Sequence, residues 1–372
     1  MKNLEQCRQE IDAIDQELIT LFEKRMQVCK EVVLYKLENN QEIFQPEREK
    51  SVIDKNVNRV KEESLKSYAS NFVQDMMNIS KSYQSSFVPL KNQYPLQDTR
   101  KENIIVGYQG VPGAFSYQSM KRYFGEVPSK DYTQFEDVFK ALKNKEIDYG
   151  IVPLENSSTG AITDNYDLVR DYGFYIVGEQ SISISQHLLG LPDSKIDKIE
   201  EVYSHPQGLQ QSSIFLNQYP DIEQKEYTNT AASAKYIRDT NDITKAAIAS
   251  KEAAELYGLK VLEENIENQK SNHTRFIIIG RNLEKSEGAN RVSVVFTLQH
   301  LAGTLYSILK SIKDYDISLS RIESRPIANK PWEYYFYIDF EGSLEDAKVQ
   351  RAIEEMKTRC LTLRILGNYQ QK

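Results

Sequence analysis

The stretch Asn272-His273-Thr274-Arg275-Phe276-Ile277-Ile278-Ile279-Gly280 decides how the centre of this chain is read. The apolar run Phe276–Gly280 reads as a buried strand. At its start a hydroxyl (Thr274) and a guanidinium (Arg275) stand side by side, a proton donor and an anion clamp on rigid backbone. A site acting on a small carboxylate needs such a pair. Two further polar clusters follow the same logic. Pro153-Leu154-Glu155-Asn156-Ser157 comes after the apolar pair Ile151-Val152, and Ser204-His205-Pro206-Gln207 comes after Val202-Tyr203.

The chain around these clusters has 372 residues, enough for two or three domains with their own cores. A net charge of -7 argues against a general nucleic-acid binder, so any positive site must be local. Cys7, Cys29 and Cys360 are far apart and form no CxxC pair, which points to reduced thiols rather than a disulfide frame or zinc site. No metal and no cofactor is expected. The N-terminal MKNLEQCRQEIDAIDQEL has no apolar core of a signal peptide, and no run approaches the roughly 20 apolar residues of a membrane span. The expectation is a cytoplasmic protein with neither membrane nor nucleic-acid partners.

Three textures follow one another. Residues 1–90 read as helices only, with Leu4, Ile11, Ile14, Leu18, Leu21, Val28 and Val32 at three- and four-residue steps. With no proline before Pro46 and no glycine before Gly107, a first helix can run from about Asn3 to Glu38. Pro46 suits the first turn of a second helix, and a third covers roughly Leu65 to Ser85. Such helices bury their stripes poorly alone, and an intertwined dimer is the natural remedy. Residues 91–102 read as a polar linker. Residues 103–282 alternate strands and helices, which predicts largely parallel sheets with active loops at the carboxyl ends of strands. Residues 290–372 have a compact βαββαβ order, a ferredoxin-like α+β layout.

Helix geometry groups the cations of the first segment. Arg25 and Lys36 are 11 residues apart, about 1100° and so about 20° from three full turns, while Arg8 lies roughly 100° away. Ser80 and Gln84 share a face of the third helix, and Arg48 and Glu49 follow Pro46. This pattern resembles the all-helical chorismate mutase family. The resemblance implies a domain-swapped dimer that rearranges chorismate to prephenate. Lys36 and Gln84 would contact the breaking ether oxygen, and Arg25 with the other subunit's Arg8 would clamp carboxylates. Arg48, Glu49 and Ser80 would complete the pocket. The family pattern carries an acidic residue where this chain has Gln45, which implies altered substrate affinity rather than loss of activity.

GYQGVPGAFSYQ (107–118), PLENSSTGAITDNYDLV (153–169), SHPQGLQQ (204–211) and NHTRF (272–276) together resemble prephenate dehydratase. The resemblance implies a two-lobed, periplasmic-binding-protein-like α/β domain with its site in the cleft, crossed twice by the chain. Thr274 would donate to the leaving hydroxyl and Arg275 would anchor a carboxylate. Asn156, Ser157, Ser204, Gln211 and Phe276 would line the pocket. His205, in a turn beside Pro206, reads as structural, and Glu155 as a positioning residue. The Gly107–Gly113 loop lacks GxGxxG spacing and reads as a turn shaping the cleft.

The tail resembles an ACT domain of the phenylalanine-sensing kind through Gly303-Thr304-Leu305 and Glu323-Ser324-Arg325-Pro326. The family usually has alanine where Thr304 stands. A glycine and free N–H groups at a helix start can receive an amino acid's carboxylate. The combined expectation is a multidomain, bifunctional enzyme of phenylalanine biosynthesis: isomerase, carbon–oxygen lyase and allosteric module, with chorismate, prephenate and L-phenylalanine as ligands. It would act as a homodimer or higher oligomer. Arogenate, the amino analogue of prephenate, is the alternative dehydratase substrate, and a ligand sensor without turnover is the alternative class.

Overall fold

The computed structural model describes residues 2–39, 41, 46–88, 94–98 and 103–371, without the side chains of 46, 47, 49 and 50. Gln45 and the side chain of Glu49 therefore lie outside the described residues, as do 91–93 and 99–102 of the expected linker. The chain divides into two compact units, Met1–Gln93 with Gln350–Ala352, and Tyr94–Val349 with Ile353–Lys372.

The first unit is helical. Helix α1 (Leu4–Glu38) opens on a capping box in which the Asn3 side chain accepts from Gln6 N–H at 2.8 Å and the Gln6 side chain accepts from Asn3 N–H at 3.1 Å. Helix α2 (Pro46–Val57) begins at the proline, and α3 (Lys66–Ser85) follows a short 3₁₀ turn. Along α1 the buried residues are Met26 and Val33, whereas Leu4, Ile11, Ile14, Leu18, Leu21 and Val28 stay exposed.

The second unit begins with a lobe made of β1 (Val106–Gln109), α4 (Phe115–Phe124), β2 (Ser129–Tyr132), α5 (Phe135–Lys143), β3 (Tyr149–Asn156), β4 (Gly160–Ala161), α6 (Thr163–Asp171) and β5 (Tyr175–Ser183). The chain then builds a second lobe from β6 (His187–Gly190), β7 (Glu201–Ser204), α7 (Pro206–Gln211), α8 (Ser213–Leu216), β8 (Glu223–Glu226), α9 (Thr230–Thr240), β9 (Lys245–Ala249), α10 (Lys251–Tyr257) and β10 (Lys260–Glu263). It returns to the first lobe as β11 (His273–Gly280).

The sheets are mixed, which corrects the expectation of largely parallel pairing. β1 is parallel to β2 and β3, but β11 lies antiparallel between β3 and β5. The reason is topological. β5 leaves the first lobe and β11 re-enters it at the same end, with Ser183 opposite His273. Ile277, Ile278 and Ile279 of β11 are wholly buried, each contributing about 1.5–3 kcal/mol relative to exposure.

The last module comprises β12 (Arg291–Thr297), α11 (Thr304–Asp314), β13 (Leu319–Pro326), β14 (Tyr334–Glu341), α12 (Ala347–Arg359) and β15 (Thr362–Tyr369), with sheet order β13-β14-β12-β15. This is the ferredoxin-like arrangement. β15 joins β5 in parallel at Gly367 opposite Ile176, so that one ten-stranded sheet runs through both parts of the unit. A Cβ on Gly367 would stand 2.3 Å from the Ile176 carbonyl oxygen, so the join requires glycine. The 94–98 segment also departs from a free linker. Gln97 exchanges backbone hydrogen bonds with Leu283 and Lys285 at 3.0 and 2.9 Å.

Candidate active site

Alternation along β11 separates residues that are neighbours in sequence. Successive strand side chains point to opposite faces, and here Phe276 and Ile278 pack in one core while Ile277 and Ile279 pack in another. Thr274 falls on the first face and Arg275 on the second.

On the Thr274 face, Asn156 at the end of β3 donates from Nδ2 to Thr274 Oγ1 at 2.8 Å and to Asn272 Oδ1 at 2.7 Å. Its Oδ1 accepts Ser158 N–H at 2.9 Å and Thr159 N–H at 3.1 Å. Those two backbone donors leave no freedom in the amide's orientation, since an NH₂ group cannot accept from them. Thr274 Oγ1 is consequently the acceptor toward Asn156, and its single proton is left to donate elsewhere. Thr274, Asn156 and Asn272 are all buried. Ser157 closes the turn, its backbone N–H on the His273 carbonyl at 2.8 Å and its Oγ accepting His273 N–H at 2.9 Å.

The second lobe faces this turn through α7. His205 caps that helix, its Nδ1 accepting Gln207 N–H at 3.2 Å, and burial lowers the pKa of its ring. Gln207 Nε2 reaches across to Thr159 Oγ1 at 3.1 Å, tying the lobes together. The Gly110–Gly113 turn makes a second tie. The Pro112 carbonyl accepts Tyr257 O–H at 2.6 Å, and Gln118 donates to Ser250 Oγ at 2.8 Å.

Arg275 does not stand beside Thr274 as a clamp. Its Nε donates to Glu179 at 2.8 Å, and its Nη2 donates to Asp339 at 2.7 Å and the Tyr369 hydroxyl at 3.1 Å. The guanidinium is thereby committed, on the face opposite Thr274, to carboxylates of β5 and β14. Burial pushes the Glu179 carboxyl upward, opposed by Arg275 and Arg291. Two other expected pocket residues are also engaged elsewhere. Phe276 is in the core, and the wholly buried Ser204 donates to the Ile248 carbonyl at 2.7 Å. Gln211 lies at the end of α7, with its carbonyl accepting Asn268 N–H at 2.6 Å.

Reading the sequence in clusters missed Asn272, Thr159 and Gln207 as a connected set. The signal for Asn272 was present, since it stands two residues before Thr274 and so shares its strand face. Glu179 and Asp339, the partners of Arg275, are distant in sequence and carried no local signal.

In the first unit, Arg25 of α1 donates to Ser80 Oγ of α3, and Ser80 in turn donates to the Met76 carbonyl at 2.7 Å. Lys36 lies on the Arg25 face of α1 and Gln84 one turn beyond Ser80. Arg8 is exposed and 17 residues from Arg25, about 26 Å along the helix, so it does not join this group within one chain. Arg48 is exposed.

In the last module, Thr297 is opposite Tyr335, and Tyr335 is opposite Arg325. Gly303-Thr304-Leu305 and Glu323–Pro326 thus lie at one end of the sheet with β14 between them. Gly303 takes φ 83° before α11, and the Thr304 hydroxyl faces the backbone carbonyls of Gln299 and Leu301. Among the described residues no helix is long and apolar enough to cross a membrane, and no cluster of His, Cys, Asp and Glu could hold a metal ion.

Residues 7–85 match the type II chorismate mutase family and 106–284 the prephenate dehydratase family. The bifunctional chorismate mutase/prephenate dehydratase of Enterobacter agglomerans is 32% identical over 369 residues, covering 97% of this chain and 94% of that protein. The structure of a prephenate dehydratase from Arthrobacter aurescens in complex with L-Phe superposes with a TM-score of 0.65 at 27% identity, covering 72% of this chain and 89% of that one. A structure described as GqqA, a novel type of quorum quenching acylase, gives 0.66 at 26% identity, covering 72% and 98%. The helical unit and the two-lobed unit thus define an enzyme that joins an isomerase to a carbon–oxygen lyase. The chain belongs to the bifunctional chorismate mutase/prephenate dehydratase family of phenylalanine biosynthesis.

Proposed function

We propose that the helical unit converts chorismate to prephenate, that the two-lobed cleft converts prephenate to phenylpyruvate, and that L-phenylalanine inhibits the second step through the last module, acting as an ACT domain. The observation that carries the dehydratase reading is the Asn156–Thr274 hydrogen bond, which leaves the threonine proton free to donate. As the ring carboxylate departs as carbon dioxide, the electron pair of the breaking C–C bond enters the ring. The C–O bond breaks, and the Thr274 proton leaves with the hydroxide as water. Solvent then reprotonates the threonine. Pairing proton donation with bond breaking in this way makes hydroxide a tolerable leaving group.

For the mutase, Arg25 holds a substrate carboxylate while Lys36 and Gln84 stabilise the negative charge growing on the ether oxygen, with Ser80 and Arg48 beside them. Arg8 of the partner subunit completes this pocket in a homodimer. The exposed apolar stripe of α1 and the distance of Arg8 from Arg25 support that assembly. The glycine-opened start of α11 and the end of β13 are the proposed effector site. The L-Phe complex of the Arthrobacter aurescens protein supports L-phenylalanine as the ligand.

The test is a product assay on the purified chain given chorismate, with and without L-phenylalanine. Phenylpyruvate that disappears as phenylalanine is added is the expected result. Accumulating prephenate would overturn the dehydratase reading, and unaltered chorismate would overturn the mutase reading.

A further inference from the structure

One strand of the last module grips both ends of the turn that carries Asn156. Along β13, Arg321, Glu323 and Arg325 are partly buried and alternate with exposed Ser320, Ile322 and Ser324. By register the first three share a face with Asp339, Tyr337 and Tyr335 of β14. Arg321 donates from Nη1 to Glu155 Oε2 at 2.6 Å, with its guanidinium 4.9 Å from the centre of the Tyr166 ring. Arg325 donates to Asp167 Oδ2 from Nε at 3.1 Å and from Nη2 at 2.8 Å, and reaches Asp164 at 3.2 Å. Asp167 is held in addition by the Tyr337 hydroxyl at 3.0 Å and Arg170 at 2.7 Å.

The position of these carboxylates in the chain gives the contacts their meaning. Glu155 immediately precedes Asn156. Asp164 and Asp167 lie on α6, directly after the turn and its short strand β4. Between them stand Asn156, which orients Thr274, and Thr159, which accepts Gln207 from the opposite lobe. The two arginines are four strand residues apart, about 13 Å, so one rigid strand spans the turn from end to end. Each planar guanidinium is held by more than one partner, Arg321 by Glu155 and the Tyr166 ring and Arg325 by Asp167 and Asp164, which a single point charge would not reproduce.

We propose that Arg321 and Arg325 are positioning residues for the dehydratase. Through Glu155 and Asp167 they set the 156–162 turn, and through Asn156 they set the hydroxyl of Thr274. A displacement of β13 moves the turn at both ends, loosening the Thr274 geometry and the Gln207–Thr159 tie together. The inference rests on the dehydratase reading and supplies a physical link from the effector site to the cleft.

The experiment uses the full chain with Arg321→Gln, Glu155→Gln, the double variant, Arg321→Lys, and Arg325→Gln. Each preparation is assayed for both activities, with the mutase activity as an internal control. Expected for Arg321→Gln and Arg325→Gln is a dehydratase kcat lowered about 10-fold or more with KM little changed, since misplacement by an ångström costs up to about 100-fold. The mutase rate should be unaltered, and the phenylalanine concentration for half inhibition should shift about 5-fold or more. The double variant should be no worse than either of its single changes, and Arg321→Lys should recover part of the loss. Faster amide hydrogen exchange over 156–162 should accompany the loss. Dehydratase kinetics and phenylalanine response within twofold of the parent would overturn the link alone. So would additive losses that track melting temperature, since these would mark a structural role only. A parent chain with no dehydratase turnover would overturn the underlying reading and the link with it.

Discussion

Asn156 Nδ2 donates to Thr274 Oγ1 at 2.8 Å, and the same amide is fixed from behind by the backbone N–H groups of Ser158 and Thr159. A threonine hydroxyl has one proton and would ordinarily be free to turn it either way. Here the amide occupies its acceptor side, so the proton is directed away from Asn156. Thr274→Ala should lower the dehydratase kcat by about 10²- to 10⁴-fold, leaving mutase activity intact. Asn156→Asp is the sharper test. A carboxylate still accepts from Ser158 and Thr159 but now also accepts from Thr274, drawing away its proton. A loss of about 100-fold or more in kcat is expected, with a lower melting temperature because the buried carboxylate also faces Asn272 Oδ1, and steady-state kinetics with calorimetry will check both.

Arg275 offers a prediction that separates two roles. Held between Glu179 and Asp339 in the buried face of the sheet, it neutralises charges that have no water to solvate them. Removing one member of such a group costs about 3–5 kcal/mol. Arg275→Leu should therefore lower the stability of the second unit by that amount in denaturant titration, while the mutase reaction survives. A raised KM for prephenate with unchanged stability would instead restore the clamp assignment.

His205 gives a pH dependence. Burial lowers its pKa from the ordinary 6.5, so the folded state prefers the neutral ring. Its contribution is fully present above 6.5 and is lost as the pH falls from there through the lower folded value. Protonated Nδ1 cannot accept Gln207 N–H, and the charge would sit at the start of α7. Dehydratase activity and melting temperature should fall together between roughly pH 7 and 5. His205→Asn, which keeps a cap acceptor without titrating, should flatten that limb.

Gln84 is a neutral donor on α3, and its neutrality predicts a mutase rate indifferent to pH around neutrality. Gln84→Glu should donate only when protonated. Its mutase kcat/KM should rise as pH falls toward the carboxyl range near about 4.3 and be depressed at pH 7. A flat profile in the variant would remove Gln84 from the reaction.

The amino-acid pattern alone showed where the texture of the chain changes, since each segment has its own period, and the structure gathers those segments into two compact units. Apolar residues at three- and four-residue steps without glycine make one 35-residue helix, short apolar runs make strands, and the βαββαβ order supplies four strands that β15 joins to β5 in a ten-stranded sheet. The short motif after Ile151-Val152 also singled out Asn156, whereas its bonds to Thr274 and Asn272 came only with the pairing of β3 and β11. Polar edge strands such as β2 (SKDY) and β8 (EQKE) were invisible, having no apolar run to announce them.

Only the tertiary structure decided the face to which each of two adjacent residues is turned. Thr274 and Arg275 are one peptide bond apart, yet the strand sends one toward Asn156 and the other toward Asp339, 64 positions away in sequence. The same holds for Asn156 and Glu155, the second of which meets Arg321 from a module 166 positions distant. Local propensity acts over a few residues. Burial of charge is settled only when distant strands meet, and that meeting assigned these arginines to the frame of the site.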